Sequence, residues 1–222
     1  MLEEKISKLK NQIIEYSNLI IDMFSDSLRS IFSTNKENLQ EIIKEKEVKA
    51  NEYEIELEEK CIYVIAQYEP KAFDLRFILS VLKMTNDLER MGDHIVNISQ
   101  SGVFLMEHNK ALISEYKIDI EKIFNLTHNM FTESITSFIE ENPIAAKKLC
   151  ELDQQVDDLK KQIYRKIIED IKTNPKDIED YIHLERIINN IERIADLTTN
   201  ICEDIIFLYE ARIIKHHRDE KL

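Results

Sequence analysis

Two glycines, three prolines and no tryptophan occur in 222 residues. So few helix breakers, set among abundant Ile, Leu, Glu and Lys, exclude a turn-rich β fold and predict long helices with short connections. Two glycines also leave no room for a glycine-rich phosphate loop, so direct nucleotide or phosphate binding is not expected. No apolar stretch approaches the roughly eighteen residues that a spanning helix needs. The N-terminal MLEEKISKLK has no apolar region of the signal-peptide kind. A soluble, cytoplasmic chain without membrane insertion is expected.

A basic surplus is missing as well. Lys and Arg number 30 against 43 Asp and Glu, a net charge of −13, and the cations are interspersed with the acids. Only the C-terminal KHHRDEKL is locally basic, and it reads as a solvated end. A phosphate-backbone binder needs a basic footprint, so no nucleic-acid partner is expected. Acidity suits cation binding or docking on a basic protein surface. Cys61, Cys150 and Cys202 show no C-x-x-C spacing. They read as small buried hydrophobes in a reducing compartment rather than a thiolate metal site.

What the chain does have is apolar periodicity. Leu9, Ile13, Tyr16, Ile20, Phe24, Leu28 and Ile31 recur at steps of three and four and predict a helix over about 3–33. Five more are predicted at about 36–68, 74–109, 115–141, 143–172 and from 176 to about Lys215. Pro70 ends the second, and Pro143 suits the first position of the fifth.

The halves repeat each other. At an offset of 103, residues 74–107 match 177–210 at ten of thirty-four positions, where chance gives roughly two or three. At an offset of 107, Met23, Phe24, Ser27 and Ser30 match Met130, Phe131, Ser134 and Ser137. The expected fold is therefore all-α: two tandem three-helix bundles related by internal duplication, over residues 1–112 and 113–222, with neighbouring helices antiparallel.

Within the duplication one motif, E-R-x-x-D-x-x-x-N, occurs twice. It reads Glu89-Arg90…Asp93…Asn97 and Glu192-Arg193…Asp196…Asn200. On the third helix Phe77, Val81, Met84, Leu88, Met91, Ile95 and Ile98 form the core stripe. Glu89, Asp93 and Asn97 then lie roughly 130–210° away, on an outward face. The sixth helix predicts the same outward placement for Glu192, Asp196 and Asn200. A partner array stands on the fifth helix as Asp153-x-x-x-Asp157, with Glu47-x-x-x-Asn51 as its counterpart on the second.

In a chain with 43 acids, roughly eight i,i+4 acidic pairs arise by chance, so a single pair carries no weight. Repetition at corresponding positions does. Like charges one turn apart destabilise a helix by a few tenths of a kcal/mol, and acids from two helices meeting at one groove repel further. Bound hard cations would neutralise them, since carboxylate oxygens suit Mg²⁺, Ca²⁺, Mn²⁺ or iron. Arg90 and Arg193 are the protein's own alternative partners for these acids.

At these residues the chain resembles the PhoU family of phosphate-uptake regulators. The resemblance covers nearly the whole length and rests on Pro70-x-x-x-Asp74-Leu75-Arg76, Leu88-Glu89-Arg90-Met91-Gly92-Asp93 with Asn97, and Ile191-Glu192-Arg193-Ile194-Ala195-Asp196 with Asn200. It implies multinuclear metal clusters (Fe, Mn, Mg, Zn or Ca) held by Glu89, Asp93, Glu192, Asp196, Asp153 and Asp157, with Glu47 at a matching position. Asn51 stands where an aspartate is expected, so a weaker first-half site is implied. Asn97 and Asn200 become extra ligands or hydrogen-bonding partners. Asp74 is expected to cap the third helix, with Arg76 as its ion-pair partner.

The resemblance also implies a cytoplasmic, non-enzymatic adaptor between a phosphate ABC transporter's ATPase subunit and a sensor histidine kinase, as a possible homodimer. Two other readings compete. A metal-free helical interaction module, attached to a sodium- or divalent-coupled phosphate carrier, would use the acids as docking charges. A di-iron oxidase needs inward glutamates and two Glu-x-x-His pairs, whereas this chain offers only Asp180-x-x-His183; His183 reads as an ordinary helix-face histidine.

Overall fold

Asparagine starts several of the helices. In the computed structural model, Asn35, Asn109 and Asn142 each accept a hydrogen bond at Oδ1 from the backbone N–H three residues on, at Asn38, Leu112 and Ala145. Each satisfies one of the orphan donors of a first turn. The structure describes residues 1–210, together with a two-residue antiparallel pairing of Ile214–Lys215 with Arg218–Asp219. The expectation for the basic C-terminal tail otherwise lies outside the described residues.

Among those residues the helices are α1 (Leu2–Ser33), α2 (Lys36–Glu41), α3 (Glu47–Tyr68), α4 (Phe73–His108), α5 (Lys110–Glu115), α6 (Lys117–Ile139), α7 (Pro143–Cys150), α8 (Asp153–Thr173) and α9 (Ile178–Glu210). A π-helical turn, Ile42–Lys46, joins α2 to α3, and a 3₁₀ turn, Pro175–Asp177, precedes α9. Two of the six expected helices are thus interrupted. The second widens into the π turn, and the fifth breaks at Glu151–Leu152. The expected sixth helix is described as far as Glu210, and Lys215 lies in the two-residue strand pairing instead. Asp74 is not the cap of α4: Ala72 holds that position, and Asp74 is the second helical residue. There its carboxylate meets the positive end of the helix dipole instead. The Arg76 guanidinium lies over the Phe73 ring.

Helices α1, α3 and α4 pack as one bundle, and α6, α8 and α9 as the other, with α2 and α7 closing their ends. The expected all-α duplication is what the structure shows. The two bundles share one continuous core, sealed by the long α4 and α9, which form the most extensive helix pair in the molecule. Their direction is antiparallel: Lys83 Nζ meets Asp204 Oδ1 at 2.7 Å, while further along α4 His94 Nδ1 lies 2.8 Å from Asn190 Oδ1. Ser25 on α1 and His128 on α6 make a second bridge, Oγ to Nε2 at 2.8 Å. The three cysteines are buried and unpaired.

One close approach sets the α1–α4 spacing. A Cβ placed on Gly102 would stand 2.6 Å from Ile31 Cγ1 and 2.8 Å from its Cδ1. Gly92, by contrast, has ordinary room, with Ile20 Cδ1 at 3.6 Å.

Candidate functional site

Helix α8 begins at Asp153, so the acids of its first turns lie beside the middle of α9, where the second copy of the motif stands. The outward placement expected for Glu192 does not hold. Glu192 is only 8% exposed, because α8 covers that side of α9. Lys160 Nζ, reaching over from α8, sits 3.0 Å from Glu192 Oε1. The other oxygen, Oε2, is buried without a hydrogen-bond partner, the Arg193 Nε lying 3.8 Å away. Asp196 is half-buried and receives Arg193 Nη1 at 3.1 Å. Burial, with the charges of Glu192 and Asp153, pushes the Asp196 carboxyl up to about 6, against partial relief from Arg193. Asp157 is approached by Lys161 from its own helix at 3.6 Å.

The first half is built differently at the matching place. Glu47 opens α3, and Asn51, one turn on, is exposed. On α4, Glu89 is half-buried and Asp93 exposed, with Asn97 half-buried one turn further. Burial raises the Glu89 carboxyl above its ordinary value, and the charges of Asp93, Glu54 and Glu47 raise it further, Arg90 opposing. Glu54 is raised by burial, Glu58 and Asp93. Below them the buried Tyr16 hydroxyl is raised by burial and then by Glu54, Glu89 and Asp93.

Glu54 was not among the expected site residues. At an offset of 106, which pairs Glu47 with Asp153 and Asn51 with Asp157, Glu54 is the equivalent of Lys160. The first half therefore has an acid where the second half has its neutralising amine. That comparison needs only the sequence, once the offset of this helix pair is set by the Leu57/Ile163 and Cys61/Ile167 core positions.

Between the halves the duplicated arginines come together. Arg90 and Arg193 line one cleft of about 470 Å³, with His94, Asp153, Asp196 and Asn200. Asn200 turns toward α4, its Nδ2 3.5 Å from Asp87 Oδ1, and Arg90 Nη1 approaches the same oxygen at 3.6 Å. Asp87 is buried, and burial pushes its carboxyl up to about 6 although Asn200, Arg90 and Lys83 each favour its charged form. The structure thus brings Asp153, Asp196 and Asn200 to one opening and places Glu192 behind them. Glu47, Glu89 and Asp93 form a second, separate group. Among the described residues no three of the His, Cys, Asp and Glu side chains converge closely enough to make a ready-built metal cage.

The groups nonetheless suit hard cations. They are oxygen donors whose acid forms are favoured first by burial and then by mutual repulsion, and in the second half one buried carboxylate oxygen lacks a partner.

With this arrangement in view, the kinship is decided by the match of the PhoU domain family to residues 13–102 and again to 120–205. The chain belongs to the PhoU family. A "Phosphate-specific transport system accessory protein PhoU homolog" of Aquifex aeolicus is 33% identical over 221 residues, 99% of this chain and 98% of its own length. A homolog 1 of the same description from Thermotoga maritima is 29% identical, covering 96% of this chain and 90% of itself. Among solved structures, the phosphate transport system regulatory protein PhoU of Streptococcus pneumoniae superimposes with a TM-score of 0.88 at 25% identity, over 97% of this chain and all of its own. The two family matches fall on either side of α5, the short helix spanning the boundary expected at 112–113.

The di-iron alternative finds no support at its one motif. Asp180 Oδ2 accepts a hydrogen bond from Asn109 Nδ2 at 3.0 Å, and the His183 ring stacks on Phe104 at 3.7 Å. Both side chains are used in holding α5 and α9 against α4.

Proposed function

We propose that this PhoU-family chain is a non-enzymatic accessory regulator of phosphate transport. It works in the cytoplasm as a helical adaptor between the ATPase subunit of a phosphate ABC transporter and a sensor histidine kinase. The observation that carries this reading is end-to-end similarity to relatives named as phosphate-transport accessory proteins, in both length and duplication. No helix among the described residues is long and apolar enough to cross a membrane, in keeping with a peripheral partner. Copurification tests it: the tagged chain retains the transporter ATPase or the kinase from cells grown in phosphate excess. Recovery of neither would overturn the adaptor.

The proposal extends to metal. Glu47, Glu54, Glu89 and Asp93 in the first half would hold a hard divalent or iron ion, with Asn51 and Asn97 as neutral oxygen donors at the edge. Asp153, Asp157, Glu192, Asp196 and Asn200 would do so in the second. The ion supplies positive charge and a fixed geometry for carboxylates that otherwise repel. The first-half group is the stronger candidate despite Asn51, because Glu54 adds an acid where Lys160 stands in the other half. Its support is the shared upward shift of Glu54 and Glu89. Elemental analysis of protein purified without added metal, beside an E89A/D93A variant and an E192A/D196A variant, tests the assignment. Loss of most metal with the first pair is expected; equal content in all three proteins would reject both groups.

A metal-free interaction module, serving a sodium- or divalent-coupled phosphate carrier, is favoured by one observation. Lys160 and Arg193 already neutralise Glu192 and Asp196 from within the protein. Protein free of metal that still retains its partner would support this second reading.

A further inference from the structure

Helix α3 has a second face that the fold does not use. Ala50, Leu57, Cys61 and Val64 pack it onto α1 and α4. On the opposite side Val48, Ile55 and Ile62 follow one another at seven-residue steps, 53%, 58% and 62% exposed. Ala66 extends the line, also exposed. At about 100° per residue these four fall within roughly 40° of one another, an apolar seam about 27 Å long that takes one position in each heptad. The edges of the seam are acidic. Glu52 and Glu59 flank it on one side and Glu58 on the other, with Asn51, and all are exposed. No Lys or Arg lies within about 60° of the seam between Val48 and Ala66.

The duplication supplies its own control. At the offset of 106, Val48, Ile55 and Ala66 correspond to Gln154, Lys161 and Lys172 on α8, whereas Ile62 corresponds to Ile168, itself 53% exposed. Gln154, Lys161 and Lys172 are exposed on the same kind of helix in the same kind of bundle. The bundle is therefore built equally well with polar residues at three of these four places, and the apolar character of Val48 and Ile55 is not a requirement of the fold.

We infer that the outer face of α3 docks an amphipathic helix of a partner protein, one with a heptad apolar seam and Lys or Arg on both flanks. The seven-residue spacing selects a helix, and the acidic edges select basic flanks. A second copy of this chain would set Glu52, Glu58 and Glu59 against the same acids, a repulsive pairing. An anionic lipid surface would meet the same repulsion. The inference rests on the adaptor reading for its setting, while its test reports on the seam alone; partner recovery from cells reports on the adaptor.

The probe is a fluorescein-labelled 21-residue synthetic helix with Leu at both seam positions of each heptad and Lys on both flanks. Two controls accompany it: the same helix with Glu flanks, and a scramble of the Lys peptide. Anisotropy titration with the full chain is expected to show binding of the Lys-flanked helix only. Hydrogen exchange should then slow within residues 48–66. V48Q/I55K, which copies the polar residues of α8, is expected to weaken binding at least tenfold with unchanged circular dichroism. E52K/E59K keeps the seam and should shift preference toward the Glu-flanked helix. Equal affinity for the scramble, or unchanged binding in both variants, overturns the inference. So does loss of chain self-association in V48Q/I55K by sedimentation velocity, which would assign the seam to a second copy.

Discussion

Lys160 Nζ on α8 lies 3.0 Å from Glu192 Oε1 on α9, and both side chains are largely withdrawn from water. The equivalent place in the first half is Glu54. One half thus sets an amine beside its buried acid, and the other carries a further acid at the same place. Removing one partner of a withdrawn ion pair strands the other and costs about 3–5 kcal/mol. K160M should lower stability by about that amount in chelator, as read by urea denaturation. Added Mn²⁺ should restore much of it by taking the amine's place beside Glu192. A deficit that metal leaves untouched would remove Glu192 from the ligand set.

Asp196 gives a pH dependence. Its carboxyl is raised from 3.8 to about 6, chiefly by burial and then by Glu192 and Asp153. The folded state therefore holds this proton more tightly than the unfolded chain does. The resulting stabilisation is complete below about pH 4 and is lost as pH rises through 6. D196N removes the titration, so in chelator its stability should fall less between pH 4 and pH 8. Asp196 is 38% exposed in its side chain, and solvent screening limits the difference at pH 8 to about 1 kcal/mol. Parallel stability profiles for the two proteins would contradict this.

His128 predicts the opposite trend. It bridges to Ser25 and packs beside Phe24 and Phe124, and burial lowers its pKa below 6.5. The neutral ring is the folded form. Its contribution is present above pH 6.5 and is lost as pH falls through the lowered value. H128Q should flatten the stability profile between pH 7 and pH 5; an unaltered acid limb would assign that loss to other groups.

The two glycines of α4 separate propensity from packing. G92A has room for its methyl, and Ala195 already fills the equivalent position in α9. It should gain up to about 1 kcal/mol from helix propensity. G102A drives a methyl into Ile31 and should lose about 1–3 kcal/mol. Melting temperatures moving in the same direction for both would show that the α1–α4 spacing yields to the added methyl.

The six rods and their duplication are readable from the chain because apolar residues recur at three and four through every core-facing stripe. The interruptions are not readable, since Leu149 and Leu152 keep the period running across the break at Glu151–Leu152. The burial of Glu192 is hidden for a related reason. Helical periodicity places it roughly 130° from the centre of the α9 core stripe, but which neighbour lies over that side depends on α8. Asn200 likewise belongs to the α4–α9 junction, a contact set by how the two bundles meet. Glu54 and Lys160 could have been paired from the sequence by carrying the repeat through the second and fifth helices as closely as through the third and sixth.

The π turn at Ile42–Lys46 has a counterpart. At the offset of 106 it falls on residues 148–152, where α7 ends and α8 begins. Both halves depart from regular α geometry immediately ahead of the rung that carries Glu47 or Asp153. A rod jointed at its root can tilt there without giving up the i→i−4 bonds that an uninterrupted helix would have to break. Each acidic face thus starts from a break in regular helix, one wide and one open, so its tilt is set at a joint rather than by a continuous rod.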